Sequence, residues 1–293
     1  MHQLSPPDLL GAHVSSQGGV QMAPLRGKMI GATTIQVFTK TPSQWREPDI
    51  SAEACDAFRK EYERHKMSSI VAHDSYLINL ASPDRTLSAR SEAAFKGELR
   101  RCVAFGIPYL VSHPGNYIDR RAAGLKRNAA AYTRCLRAVP GSPVILLETT
   151  AGCGTALGCT FEELALLRAA IGDDVRHRVA FCADTCHLYS AGYDLRNDYD
   201  GVWRAWEDIL GLDKLLCLHL NDSKTRFASQ VDRHELIGEG SLGPEPFRRI
   251  MTDPRLAHVI KIIETPKGED WRKTDRRMLR RLRRYARGSA VPR

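Results

Sequence analysis

The sequence has no uninterrupted apolar stretch near the roughly 20 residues that a membrane-spanning helix needs. Its opening, Met1-His2-Gln3-Leu4-Ser5-Pro6-Pro7, lacks the basic and apolar regions of a signal peptide. A cytoplasmic location with no membrane partner is therefore expected. Cysteine is sparse: eight residues (55, 102, 135, 153, 159, 182, 186 and 217), none at CxxC spacing, in a chain far too long for a disulfide scaffold. Free thiols are expected. A glycine-rich phosphate-binding fingerprint is missing as well, since Gly18-Gly19 after His13 matches GxGxxG poorly, and this weighs against an open doubly wound sheet. No linker or low-complexity segment breaks the chain, and nothing in it demands more than a monomer.

What remains is the balance of an ordinary globular protein: 293 residues, 43% hydrophobic, 26% charged, with aromatics at only 7%. That length allows two domains, or one α/β barrel of about 250 residues. The net charge of +9 is unevenly placed, because residues 272–293 hold ten Lys or Arg against Asp275 alone, leaving 33 of each sign in residues 1–271. Within this basic end Met278, Leu279, Leu282, Tyr285 and Ala286 recur at helical spacing. The reading taken is a last amphipathic helix that packs its apolar stripe and solvates its arginines; a phosphate-contacting tail is the alternative.

Short β-branched or apolar runs alternate with longer helical patterns along the whole chain. Eight runs read as strands: 9–14, 33–40, 68–75, 109–113, 144–150, 179–187, 215–222 and 259–265. Helical segments lie between them, at 51–65, 90–105 and 160–171 among others, with Ser51 and Thr160 as N-caps followed by acids in the first turn. Parallel strands need helical crossovers, and eight twisted strands can close on themselves, so the expected fold is a single-domain (β/α)8 TIM barrel over residues 9–287. Residues 1–8 are then an N-terminal extension and 288–293 a tail.

In such a barrel the chemistry sits at the C-terminal face of the strands. The polar residues that close the apolar runs form a series, His73, His113, Glu148, Asp184, His219 and Glu264, separated by 40, 35, 36, 35 and 45 residues, about one βα unit each. Six consecutive strands would aim a metal-ligand side chain at one mouth. His187 follows Asp184 by three residues, and Asp232 and His234, separated by one, point the same way in an extended segment. An isolated histidine is more often a hydrogen-bonded structural residue, but five histidines and four carboxylates converging in one mouth are very costly to desolvate without cations. Imidazole with carboxylate suits zinc, with manganese or iron as alternatives. Nine ligands exceed one ion and suffice for three if a carboxylate bridges. With Glu148, Asp184, Asp232, Glu264 and a hydroxide set against three divalent ions, the site carries about +1, which favours an anion such as a phosphoester.

The segments that carry these residues resemble a known family. They are Gly11-Ala12-His13-Val14-Ser15, His73-Asp74-Ser75-Tyr76-Leu77-Ile78-Asn79-Leu80, His113-Pro114-Gly115, Glu148-Thr149-Thr150-Ala151-Gly152, Asp184-Thr185-Cys186-His187, Ala191-Gly192-Tyr193-Asp194, His219-Leu220-Asn221-Asp222-Ser223-Lys224, Asp232-Arg233-His234 and Ile237-Gly238-Glu239-Gly240. In order and spacing, from about residue 9 to 266, they resemble endonuclease IV, the zinc-dependent apurinic/apyrimidinic endonucleases. The resemblance implies three zinc ions: one on His73 and His113, a second on Asp184, His219 and Glu264, with Glu148 bridging the two beside the attacking hydroxide, and a third on His187, Asp232 and His234. Glu148 and Glu264 thereby carry catalytic roles. It also implies the substrate, duplex DNA with an abasic site, cut on the 5′ side to leave a 3′-hydroxyl and a 5′-deoxyribose phosphate by a trinuclear zinc–hydroxide mechanism, together with trimming of blocked 3′ ends.

Tyr76 and Leu77 match the family's residues that press into the DNA stack from the minor groove, where an inserted wedge fills the space of the missing base. Gln44, Trp45 and Arg46 are read as part of the same DNA-facing surface. The chain departs from the family at three places, none a ligand: Ser43 stands where many members have a DNA-entering arginine, Thr149-Thr150-Ala151-Gly152-Cys153 replaces Asn-Thr-Ala-Gly-Gln, and Asn116 replaces a common Ser. Retained metal chemistry with altered DNA affinity or lesion preference is expected. Two rival readings are a xylose-isomerase-like sugar isomerase or epimerase, which has no use for the third ligand set, and a non-catalytic DNA-damage binding protein, which has no reason to keep all nine ligands.

Overall fold

A computed structural model describes residues 8–288, so the expected extension and tail fall outside it except for Asp8 and Gly288. The strands are β1 (Leu10–His13), β2 (Thr34–Phe38), β3 (Ser69–His73), β4 (Tyr109–Ser112), β5 (Val144–Glu148), β6 (Val179–Asp184), β7 (Leu215–His219), the two-residue β8 (Asp222–Ser223) and β9 (His234–Glu235), and β10 (Ile260–Ile263). Eight of them close a parallel barrel in the order β1-β10-β7-β6-β5-β4-β3-β2, each inside a run that the sequence marks as a strand. Closure at β1 depends on Gly11, because a Cβ there would lie 1.7 Å from Thr34 O on the neighbouring strand.

Side chains two apart on a strand share a face, and this parity builds two layers. Val71, Val111, Leu146, Ala180, Cys182, Cys217, Ile260 and Ile262 fill the barrel interior. The opposite parity, including Ile70, Leu110, Leu147, Phe181 and Leu218, packs outward against the helices in the larger core. Each inward apolar residue near a strand's C-terminal end is followed two residues later by a polar one: Val71 by His73, Val111 by His113, Leu146 by Glu148, Cys182 by Asp184, Cys217 by His219 and Ile262 by Glu264. Register completes the alignment, setting His73 beside Val111, Glu148 beside Cys182 and Asp184 beside His219.

Caps explain where helices begin. Ser51 Oγ accepts from Ala54 N at 3.2 Å to open helix Ala52–Arg64, and Thr160 Oγ1 accepts from Glu163 N at 3.2 Å to open Phe161–Ala169. The third helix starts earlier than its apolar spacing implies, at Arg85 rather than 90, because Asp84 caps it through Leu87 N at 2.7 Å. A second difference concerns the run 179–187. The strand stops at Asp184, whose carboxylate accepts from His187 N at 2.9 Å and turns the chain into helix Thr185–Ala191. The final helix, Trp271–Ala286, buries Met278, Leu279, Leu282 and Tyr285 as expected, while Ala286 lies exposed at its end.

The loop that carries Asp232 and His234 is tied down by one buried carboxylate. Asp222, in β8, accepts from Gly238 N at 2.9 Å, Gly240 N at 3.1 Å and Leu242 N at 2.9 Å, while β8 pairs antiparallel with β9. Gly240 is needed there, since a Cβ would meet Ser223 O at 2.4 Å. Replacing Asp222 by Ala orphans these three backbone donors and that of Ser223, 2.8 Å from its carboxylate, and is expected to cost about 3 kcal/mol, measured by urea unfolding; a loss below about 0.5 kcal/mol would show that the loop is held by other means.

Candidate metal centre

All nine strand-end and loop candidates meet at the barrel mouth, around one carboxylate. Glu148, wholly buried, directs Oε2 toward His73 Nε2 at 3.1 Å and His113 Nε2 at 2.8 Å, and Oε1 toward His219 Nδ1 at 2.9 Å and His187 Nδ1 at 3.5 Å. His219 Nδ1 also faces Glu264 Oε2 at 3.2 Å and Asp184 Oδ2 at 3.9 Å. On the far side Asp232 lies between two imidazoles, its Oδ2 3.2 Å from His187 Nε2 and its Oδ1 3.1 Å from His234 Nε2. Donor atoms gather into the groups His73/His113/Glu148, Glu148/Asp184/His219/Glu264 and His187/Asp232/His234, each with its atoms within 4.8 Å of one another. That is the partition the resemblance implies, with Glu148 common to the first two.

The outer ring nitrogens show why the imidazoles point inward. His73 Nδ1 donates to Asp74 O at 2.9 Å, His187 Nδ1 to Thr149 O at 2.8 Å and His219 Nε2 to Gln36 Oε1 at 2.8 Å, while His234 Nδ1 lies 3.4 Å from Glu264 O. Anchoring one nitrogen fixes the tautomer and leaves the other bare toward the cluster, the arrangement of metal-ligating histidine. His234 Nε2 is buried and, although close to Asp232, is not aligned to hydrogen-bond with it or any other group, the mark of a donor atom shaped for a cation.

Electrostatics say the same. Burial opposes the charged form of His73, yet the hydrogen bond and charge of Glu148 prevail and hold the imidazole up at about 9; burial likewise loses to Asp184 and Asp232 at His234, also about 9. At His187 and His219 the neighbouring carboxylates overcome burial and push the pKa well above the ordinary value. Burial raises the carboxyls of Glu148 and Glu264, but the imidazoles facing them win and hold both well below the usual range. Glu148, Glu264 and Asp232 are thereby held ionised and call for positive charge in the mouth. Protons on imidazole or metal ions meet that demand, and the two compete.

Four residues that the strand-end series did not single out complete the site. Gln36 donates to Glu264 Oε1 at 2.6 Å while accepting from His219. His13 Nδ1 lies 3.0 Å from Gln36 Nε2 and 3.3 Å from Glu264 Oε1. Asn221 donates to Asp184 Oδ2 at 2.6 Å and accepts from Glu264 N at 2.9 Å. Asp74, accepting from Ser112 Oγ at 2.6 Å, backs His73, and burial pushes its carboxyl up to about 7. His13 closes β1 as the series members close their strands, so its signal was present; Gln36 sits inside β2, where only the barrel shows that it faces the mouth.

The rim is uneven. Tyr76 is 71% exposed and lines the mouth with its ring against Phe38, centroids 5.1 Å apart, while Leu77 beside it is half-buried. Gln44 and Arg46 are exposed along a groove that shares His13, Phe38 and Lys267 with the mouth. Trp45 is half-buried beneath the guanidinium of Arg90, 4.5 Å from its centroid. Ser43 is exposed, as is Cys153, which donates to Gln230 O at 2.7 Å. Thr149 touches the ligand set directly, its Oγ1 accepting from Asp184 N at 2.9 Å.

A closed parallel barrel with clustered histidine and carboxylate donors at the C-terminal mouth defines a metal-dependent TIM-barrel enzyme. Comparison with known proteins narrows the class. Residues 26–282 match the family described as xylose isomerase-like TIM barrel. Probable endonuclease 4 of Geobacter sulfurreducens is 47% identical over 267 residues, covering 90% of each chain, and that of Chloroflexus aggregans is 46% identical over 285 residues, covering 96% of this chain and 99% of that one. The crystal structure of endonuclease IV from Thermus thermophilus superposes with a TM-score of 0.85 at 34% identity, over 97% of this chain and all of that one. The chain belongs to the endonuclease IV family.

Gln36→Leu keeps the side chain's size but removes its bonds to His219 and Glu264. It is expected to cost the metal-free protein about 1–3 kcal/mol and to weaken zinc binding roughly 10- to 100-fold, read by chemical denaturation and chelator competition. Wild-type zinc affinity in a correctly folded variant would remove Gln36 from the supporting role given to it.

Proposed function

We propose that the protein is a DNA repair endonuclease that hydrolyses the phosphodiester bond 5′ to abasic sites in duplex DNA, leaving a 3′-hydroxyl and a 5′-deoxyribose phosphate, and that it also trims blocked 3′ ends. The observation that carries the reading is the third donor group, His187/Asp232/His234, beside the pair of groups that share Glu148. A sugar isomerase has no use for it, and a protein that only binds damage has no use for any of the three. The fit is to zinc. His73 and His113 would hold one ion, Asp184, His219 and Glu264 a second, and His187, Asp232 and His234 a third, with Glu148 between the first two. Bound there, the ions supply an activated water and neutralise charge on the attacked phosphate and on the leaving oxygen.

The chain's own residues do the rest. Glu148 keeps its two oxygens directed at opposite sides of the mouth, and Glu264, held by Gln36 and by its own backbone bond to Asn221, keeps a carboxylate at the edge that substrate meets. A sugar lacking its base loses no pairing when it leaves the helix, so the lesion reaches the mouth at a lower cost than an intact nucleotide. Tyr76, exposed beside that mouth, is the wedge for the vacated stack, with Leu77 behind it and Gln44, Trp45 and Arg46 on the adjoining rim. The protein would act as a monomer in the cytoplasm.

The test is an end-labelled duplex with a single abasic site, incubated with zinc-loaded protein before and after prolonged chelation. A chelator-sensitive 5′ nick with a free 3′-hydroxyl is expected, and Glu264→Gln should abolish it while lesion binding persists. Absence of a nick from protein carrying three zinc ions per chain would refute the reading. A second prediction concerns the rim: replacing Tyr76 and Leu77 together by Ala should weaken binding to abasic duplex about tenfold or more, the loss of roughly one good stacking contact, with bound zinc unchanged. Loss of zinc instead would make the two residues structural.

A further inference from the structure

The helix Trp271–Ala286 packs against helices Ala23–Ile30 and Pro244–Thr252, and its outward face is cationic. Lys273, Arg276, Arg277, Arg280, Arg283, Arg284 and Arg287 line one shallow groove. They recur every three or four residues, so they share a face about 21 Å long. Neutralisation is partial. Arg277 and Arg281 share Glu239 at 3.4 and 2.9 Å, Lys273 reaches Asp270 at 3.6 Å, and Arg283 pairs with Asp8 at 2.5 Å. Among the described residues Arg280, Arg284 and Arg287 make no ion pair, and residues 1–7 and 289–293 contain no Asp or Glu. Asp275, the helix's one acid after its cap, points inward to Lys267 at 3.0 Å.

Six i,i+4 pairs of like charge, 272/276, 273/277, 276/280, 277/281, 280/284 and 283/287, oppose the helix. The fold tolerates this arrangement where neutral residues would solvate equally well. Six of the seven groove cations are arginine, the side chain whose planar fork matches phosphate. The helix offers no large exposed apolar side chain, so insertion into a lipid surface lacks its driving force. A duplex segment of this length carries about twelve charges, at one per 1.7 Å of axis counting both strands, and presents part of them to a straight ladder. The helix follows directly on the mouth residues Glu264 to Lys267, so the ladder starts beside the mouth and runs away from it along the barrel wall.

We propose that the Lys273–Arg287 face is a second duplex-DNA surface, which grips the phosphates of undamaged DNA without reading sequence while the mouth engages the lesion. The choice of DNA among polyanions rests on the nuclease reading above. The test uses the zinc-loaded full chain and an undamaged 20-base-pair duplex, with binding followed by fluorescence anisotropy between 50 and 200 mM KCl. Changing Arg280, Arg284 and Arg287 together to Glu should weaken binding at least tenfold at the lowest salt and flatten the log–log salt slope by roughly 3, about 0.9 for each phosphate that is no longer neutralised. The corresponding triple Lys variant should restore most of the slope, which a misfolded helix would not do. Incision of a 15-base-pair abasic duplex should stay within twofold of the parent.

An unchanged slope overturns the proposal, as does a triple-Glu variant that loses single-stranded RNA or anionic vesicles while duplex binding is untouched. The two readings fail separately. Incision without a slope change sinks the second surface alone, and a slope change in a protein that never nicks abasic DNA sinks the nuclease reading alone.

Discussion

One buried carboxylate organises this protein. Glu148 is buried, yet three imidazoles converge on its two oxygens from β3, from the residue beyond β4 and from β7, with the His187 ring of the helix after β6 beside them. Burying an ionised carboxylate is tolerable only with positive charge around it, so the strands that supply those histidines must end at the same height. The barrel meets this condition through parity and register. Each strand-end ligand stands two residues beyond an inward apolar side chain, and a register shift between β6 and β7 at Phe181/Cys182 brings Asp184 opposite His219. A slip of one residue in any strand would turn its ligand into the helix layer.

Convergence alone would leave the imidazoles free to rotate. The layer behind them removes that freedom, and it is built largely from backbone: the carbonyls of Asp74 and Thr149 take the outer N–H of His73 and His187. Because a carbonyl acceptor belongs to every residue type, the change at Thr149 from the family's usual Asn leaves this contact in place. The side chain has a separate task, accepting from Asp184 N where the strand ends. Gln36 is the exception, a side chain that serves His219 and Glu264 at once. Its side chain must satisfy two partners at once, which makes it harder to replace than the backbone contacts.

Strand ends were legible in the sequence because the barrel imposes a repeat: an apolar run, then a polar residue of inward parity, then a helix. His73, His113, Glu148, Asp184, His219 and Glu264 all obey it. The same rule covers His13 at the end of β1, which the spacing series left out because it begins at β3. What the sequence could not separate was strand from capped helix at Asp184-Thr185-Cys186-His187. The residues are apolar enough to continue a strand, and only the carboxylate's bond to His187 N shows that the chain turns there. The early start of the third helix has a similar origin, since Asp84 caps it ahead of the apolar spacing. Gln36 was illegible for a different reason: a polar residue inside a strand reads as a break in the pattern until closure of the barrel turns it toward His219.

The charge distribution separates two tasks that DNA enzymes often combine. Residues 1–271 are formally balanced, so the barrel without its last helix carries no net charge to draw a polyanion from a distance. At the mouth, attraction would depend on the ions proposed to answer Glu148, Asp184, Asp232 and Glu264, held within low-dielectric walls. The arginine ladder has the opposite character, solvent-exposed and spread over about 21 Å, with a pull that salt screens strongly. If both proposals hold, the mouth would recognise a lesion by the geometry of an extruded sugar, whereas the helix would respond to duplex of any sequence. Recognition of damage therefore need not compete with non-specific adhesion at the same surface, which is a physical reason for the basic excess to sit on the one helix that leaves the mouth instead of on its rim.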